Sequence, residues 1–154
     1  MSVQTRETAL QGIAELFSER MPFSRLLGMR VTDFDLKRVE LRINMDEKLI
    51  GNPFHNILHG GVTASLLDVA GGLVVVASCL EGVEDFSDFS LQDRFTRFGT
   101  IDLRVDYLRP GRGREFIATA HIIRAGNKVA VARMELHNEE GTHIAFGTGT
   151  YLVG

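Results

Sequence analysis

The triplet His59-Gly60-Gly61 opens a run, Val62 to Leu80, of apolar and small residues with one charged member, Asp68. An ionised carboxylate among apolar neighbours is unstable unless it is paired, hydrogen-bonded or used in chemistry. Asp68 is therefore either a structural group bonded to backbone or water, or a base. The two glycines fall where a loop enters a helix, and the first N–H groups of a helix lack intrahelical acceptors and carry a partial positive charge. Such a place stabilises an oxyanion, and residues without Cβ let a ligand approach the backbone. A tight turn without a ligand would use the same pair. At ~1.5 Å and ~100° per residue, Asp68 lies roughly 13 Å along the helix from His59 and half a turn round it. Within one chain the two cannot share a carbonyl group. A two-fold dimer can bring Asp68 of one protomer to the helix start of the other, which places the site at a subunit interface.

The elements that must position these groups are legible by periodicity. Thr5 to Phe17, with Leu10, Ile13, Ala14, Leu16 and Phe17 at helical spacing, reads as an amphipathic helix within about residues 3–20, ending before Pro22. Leu27 to Met45 changes to short apolar alternations, with Val39, Leu41 and Ile43 on one strand face and a turn between Asp33 and Arg38. Gly51, Asn52 and Pro53 form a loop, and Gly61 to Leu80 is apolar round its whole circumference, the pattern of a helix buried on all sides. Four β-like segments follow: Thr100 to Leu108, Glu115 to Arg124, Lys128 to Asn138 and Thr142 to Val153. Turn signals at Pro110-Gly111, Gly126-Asn127 and Glu140-Gly141 predict that consecutive strands run antiparallel. The order predicts one α+β domain over residues 1–154, a curved antiparallel sheet wrapped around one long central helix. A single sheet leaves part of that helix uncovered, and the remainder predicts a dimer.

Composition narrows the function. A length of 154 residues suits one domain with a real core. A share of 44% apolar and 24% charged residues excludes wholesale disorder. The net charge of -3 argues against nucleic acid as a partner. Residues 104–133 nevertheless carry seven basic groups against two acidic ones, which suits an anionic ligand of modest size or an ordinary solvated face. The lone Cys79 rules out an intramolecular disulfide and fits a reducing compartment. No signal pattern opens the chain, and the apolar stretch Leu73 to Leu80 is short of the ~20 residues of a membrane span. A cytoplasmic protein without membrane insertion is expected.

Taken together, GNPFHNILHGGVTASLLDVAGG, GTIDLRVDYLRPGRG and GTGTYLV resemble the hotdog-fold acyl-CoA thioesterases of the phenylacetate-degradation (PaaI) type. Among these the YigI-like branch, associated with medium- and long-chain acyl-CoA, is the most similar. The resemblance covers residues 24–153 and rests on the His-Gly-Gly triplet, the Asp nine residues after the His, and the Tyr-Leu-Arg-Pro turn. It implies hydrolysis of an acyl-CoA to free acid and CoA, with no cofactor and no metal, by a homodimer or homotetramer. By the same resemblance the Gly61 N–H polarises the thioester carbonyl, and Asp68 of the partner subunit is general base or nucleophile. A loop amide places water or carbonyl: Asn52 matches it, seven residues before His59 where many members have six, with Asn56 also close. Thr100, ten residues before Pro110, matches a hydroxyl near the Asp. Gly60 and the turns Arg109-Pro110-Gly111-Arg112 and Gly126-Asn127-Lys128 are implied substrate contacts, the turns facing the nucleotide, and Arg114 is a further candidate.

The insertion Glu81 to Phe98 departs from compact relatives, and its Phe86, Phe89, Phe95 and Phe98 wall an acyl tunnel, act as a lid, or pin a surface loop. His55, His121, His137 and His143 lack metal spacing such as His-x-x-x-His on a helix and read as surface or strand residues. Cys79 reads as a packed small apolar residue, and His59 as a positioning residue. Two other functions fit less well. A hotdog dehydratase or hydratase would use a catalytic His side chain with a carboxylate, but the Pro-rich loop after the His is missing here. A non-catalytic acyl-CoA binding module would tolerate Asn in place of Asp68.

Overall fold

The first helix starts at Thr5 because its hydroxyl accepts the Thr8 N–H while the Thr8 hydroxyl accepts the Thr5 N–H, a reciprocal cap. In the computed structural model, which describes residues 5–86 and 90–154, this helix is α1 (Arg6–Glu15). It continues through one wider turn, Leu16–Arg20, and buries Ala9, Ile13 and Phe17. Residues 3 and 4 of the expected helix lie outside the described residues. Pro22 then opens a short helix that the sequence reading lacked, α2 (Pro22–Leu27), stopped by Gly28 in the left-handed region at φ 70°.

β1 (Arg30–Phe34) and β2 (Arg38–Asn44) form a hairpin whose turn is held by the Asp35 carboxylate, which accepts the N–H groups of Lys37 and Arg38. A second element not anticipated is a small ribbon, β3 (Ile50–Asn52) and β4 (Ile57–Leu58), leading into the central helix α3 (Gly60–Ser78). After α4 (Leu91–Phe95) come β5 (Gly99–Tyr107), β6 (Glu115–Ala125), β7 (Val129–Asn138) and β8 (His143–Leu152). The six-stranded sheet has the order β1-β2-β6-β7-β8-β5, antiparallel throughout. β5 and β6 thus run in opposite directions, as expected, but they are not paired, since β7 and β8 lie between them. The Pro110-Gly111 turn is a crossover, and Gly111 is anchored elsewhere: its carbonyl accepts the Leu58 N–H.

Small residues on the concave face let α3 sit close to the sheet: Ala118 and Ala120 on β6, Ala130 and Ala132 on β7, and Ala145, Gly147 and Gly149 on β8 are all buried. By length and composition the 19-residue α3 is apolar enough to cross a membrane, unlike the shorter apolar stretch weighed in the sequence. Its apolarity is explained by packing on β2, β5, β6, β7, β8 and α1. It is not buried on all sides. Gly71 to Ala77 are fully enclosed, whereas Gly61 is exposed and Val62, Ala64, Ser65, Asp68 and Val69 are half-buried. The open stripe lies beside β5, an edge strand with Ile101 and Tyr107 57% and 55% exposed. An unpaired edge bearing large apolar residues is a surface for another strand.

Gly71 is required where it is. A Cβ there would collide with the Tyr151 hydroxyl and lie 2.9 Å from the Met134 sulfur, in a core that cannot yield. Gly71→Ala is expected to lower unfolding free energy by about 2–3 kcal/mol. Gly12→Ala, on α1 with open space around the new methyl, should raise it by about 0.5–1 kcal/mol. Urea unfolding of the two variants against the native chain checks both signs.

Candidate active site

Asp68 projects from the open stripe of α3, and the Thr100 hydroxyl at the start of β5 donates to its Oδ1 at 3.0 Å. No cation pairs with this carboxylate among the described residues. Beneath it, the Tyr151 hydroxyl donates to the Asp68 main-chain carbonyl at 3.0 Å. Burial, and then the Asp68 charge, push the Tyr151 phenol pKa strongly upward, so it stays a donor. The Tyr151 ring is held between Gly149 and Gly71, where any Cβ would strike it, and stacks on Phe98 at 5.9 Å and 9°.

At the other end of the stripe is the helix start. His59 is its N-cap: Nδ1 accepts the Gly61 N–H at 2.8 Å, which assigns the imidazole as neutral with its proton on Nε2. The ring fits only because neighbours lack side chains. A Cβ on Gly61 would lie 2.9 Å from Nδ1, and one on Gly51 2.6 Å from the His59 Cα. The expectation of free N–H groups is therefore corrected for Gly61, whose N–H is held by the imidazole, while that of Gly60 meets no acceptor among the described residues. The Tyr107 hydroxyl donates to the Gly60 carbonyl at 2.7 Å. Gly61, Ala64, Ser65 and Asp68 follow one another at helical i, i+3, i+4, i+7 spacing. Counted from Gly61 rather than His59, Asp68 is on the same helix face, but still about 10 Å along the axis.

The β3–β4 ribbon carries both candidate amides. Asn52 Oδ1 accepts the Phe54 N–H at 3.1 Å and its carbonyl accepts the N–H groups of His55 and Asn56, so it closes the turn. Asn56 is exposed and takes a left-handed φ of 50°. The Asn52 side-chain oxygen is thus engaged locally, and its amide NH₂ is the end left for a ligand.

Of the two turns assigned to the nucleotide, one is fastened to the helix start. Arg112 Nη1 donates to the His55 carbonyl at 3.1 Å, and a Cβ on buried Gly111 would meet Leu58 at 2.7 Å. Arg109 Nη1 donates to the His143 carbonyl at 2.9 Å, and Pro110 between them is exposed. Gly126, Asn127 and Lys128, all exposed, lie at the opposite end of β6, roughly 33 Å away at ~3.3 Å per residue. Two turns of one chain cannot hold one nucleotide together. The seven basic residues do not form a single patch either. Arg114 pairs with Glu139 at 3.4 Å, and the carboxylate accepts the main-chain N–H groups of Arg114 and Glu115; the Arg114 N–H foremost lowers its pKa to about 2. Arg133 lies 4.0 Å over the Phe146 ring and Arg104 pairs with Asp106 at 3.1 Å, both occupied locally.

In the insertion, Phe86 is buried, and Phe95 packs against Phe17 at 5.6 Å and Phe98 at 5.8 Å. Phe89 lies outside the described residues. Cys79 is half-buried with its thiol on the Val75 carbonyl, and burial pushes its pKa up, as for an unreactive thiol. His55 and His121 are exposed, while His137 and His143 stack ring on ring at 4.4 Å. Burial and then the His143 imidazole lower the His137 pKa. The Tyr-Leu-Arg-Pro and GTGTYLV motifs contain Tyr107 and Tyr151 but carry no sign of the bonds their hydroxyls make to the Gly60 and Asp68 carbonyls, and the stacking of His137 on His143 follows from strand pairing rather than from sequence spacing.

A curved antiparallel sheet closed around one central helix, with a carboxylate and a glycine helix start along that helix, is the hotdog architecture. The chain belongs to the Thioesterase superfamily, whose family profile matches residues 55–145. It is 53% identical over 153 residues to the medium/long-chain acyl-CoA thioesterase YigI of Escherichia coli K12, covering 99% of each chain. It is 52% identical over 153 residues, again 99% of each chain, to the protein of that name in Salmonella typhimurium. A crystal structure from Shewanella oneidensis, described as related to the thioesterase superfamily, superimposes with a TM-score of 0.91 at 52% identity, over 99% of this chain and 100% of that one.

Proposed function

We propose that the chain hydrolyses medium- to long-chain acyl-CoA thioesters at a site shared by two subunits. The observation that carries this reading is the Asp68 carboxylate, half-buried, unpaired by any described cation, and oriented by Thr100 on the same helix face as Gly61.

The chemistry needs little else. Asp68 takes a proton from a water molecule, and the oxygen adds to the thioester carbon. The developing oxyanion accepts the Gly61 N–H in place of the His59 imidazole, a neutral acceptor at an exposed position that is readily displaced. Collapse breaks the C–S bond, and the Asp68 proton passes to the departing thiolate. Asn52, through its amide NH₂, helps place water or carbonyl.

Two-fold pairing along the free edge of β5 sets two α3 helices antiparallel on one side of a continuous sheet. Asp68 of one protomer then faces Gly61 of the other. The same operation resolves the separated turns: Gly126-Asn127-Lys128 lies at the Asp68 end of the fold and Arg109–Arg112 at the Gly61 end, so the partner brings the first to the second. A CoA nucleotide bound there meets basic groups of both chains. The acyl chain, leaving Asp68, passes Phe98, which packs over Gly72 one turn along α3, and continues toward a groove of about 580 Å³ lined by Leu16, Arg20, Gln92 and Phe95. The relatives named as medium/long-chain acyl-CoA thioesterases support this substrate class.

The test is thiol release from short, medium, long and aryl acyl-CoAs. Turnover greatest on medium and long chains is the expected result; tight binding of all of them without thiol release would leave a binding module instead.

A further inference from the structure

On the convex face of the sheet, away from α3, we propose that Glu135, His137 and His143 form a binding site for a divalent cation of the zinc class. Glu135 and His137 are two apart on β7 and so point to the same face, and His143 is the cross-strand partner of His137 on β8. One ligating atom from each lies within 4.8 Å of the others. The two imidazoles are stacked 4.4 Å apart and 10° from parallel.

A second observation marks the position as made for a ligand. His143 Nε2 is buried and has no hydrogen-bond partner among the described residues. Glu135 Oε2 is 4.0 Å away, beyond hydrogen-bond reach. Buried polar atoms without a partner are rare in folded proteins. A cation between His143, His137 and Glu135 supplies the partner.

The geometry and donor set name its class. Tetrahedral coordination at ~2.0–2.1 Å puts donor atoms about 3.3 Å apart, which rotation of three partly exposed side chains reaches from the present spread. Two imidazoles and one carboxylate favour zinc, cobalt, nickel or copper over magnesium or calcium, which take oxygen. With side chains of His143 and Glu135 30% and 41% exposed, a fourth position faces solvent. Helical His spacing, the usual sign, is absent because strand geometry needs only i, i+2 and a neighbour across the hairpin.

The full-length protein, stripped with EDTA and dialysed, is titrated with Co²⁺ and Zn²⁺. One Co²⁺ per chain, with the visible absorption of four-coordinate cobalt displaced by Zn²⁺ but not by Mg²⁺, is expected. His143→Ala and His137→Ala should abolish the absorption, and Glu135→Gln, a change at a partly exposed site that keeps shape, should weaken binding at least about tenfold. His55→Ala and His121→Ala, exposed and outside the cluster, should leave it unchanged. Absence of saturable binding near one per chain, binding retained in folded His143→Ala, or binding of native affinity in folded Glu135→Gln overturns the proposal.

Discussion

Asp68→Asn is expected to lower kcat for acyl-CoA hydrolysis by about 10³-fold, the range of a lost general base. The fold should persist. Asn is nearly isosteric, its side-chain oxygen can still accept the Thr100 hydroxyl, and no ion pair is broken among the described residues. Apparent affinity for acyl-CoA should hardly change, since a base acts on the transition state more than on the bound ester. Thr100→Val should act in the same direction but more weakly, by about tenfold, because it frees the carboxylate to rotate without removing it. Steady-state thiol release with thermal unfolding of each variant checks these values. A folded Asp68→Asn protein with native kcat would remove Asp68 from the chemistry and return it to the role of a structural charge.

What could be read from the sequence divides along a physical line. β2, β6, β7 and β8 announce themselves because alternate residues face α3, and α3 because its second half, Gly71 to Ala77, is enclosed. Elements held by few local bonds were invisible: β3 and β4 are a short ribbon whose pairing depends on Asn52 closing a turn, and α2 is six residues started by Pro22 and ended by Gly28. Pairing partners were also out of reach, since a turn signal such as Pro110-Gly111 marks a reversal and not which strand comes next. At the site, Asp68 stood out because it is the one charge in an apolar run. The His59 cap did not, because a neutral imidazole accepting an N–H two residues on leaves no periodic trace. Gly71 was likewise silent: its reason is one ring, Tyr151, that lies far away in the chain.

A purified heterodimer of Asp68→Asn and Gly61→Val chains, isolated by two different tags, is expected to recover about half the native activity although each variant homodimer is inactive. Val at position 61 puts a branched side chain where even a Cβ would lie 2.9 Å from His59 Nδ1, displacing the ring and blocking carbonyl access to the N–H. Asp68→Asn removes the base. If each site takes Gly61 from one chain and Asp68 from the other, the heterodimer has one site carrying both changes and one carrying neither, and the second works at full rate. If both groups served the same substrate within one chain, every site would carry a change and the heterodimer would be as inactive as its parents. The ~10 Å between Gly61 and Asp68 along α3 is too long for one carbonyl to span and short enough for antiparallel helices to bridge. Recovery of activity by two inactive chains therefore tests directly the shared site proposed from the helix geometry.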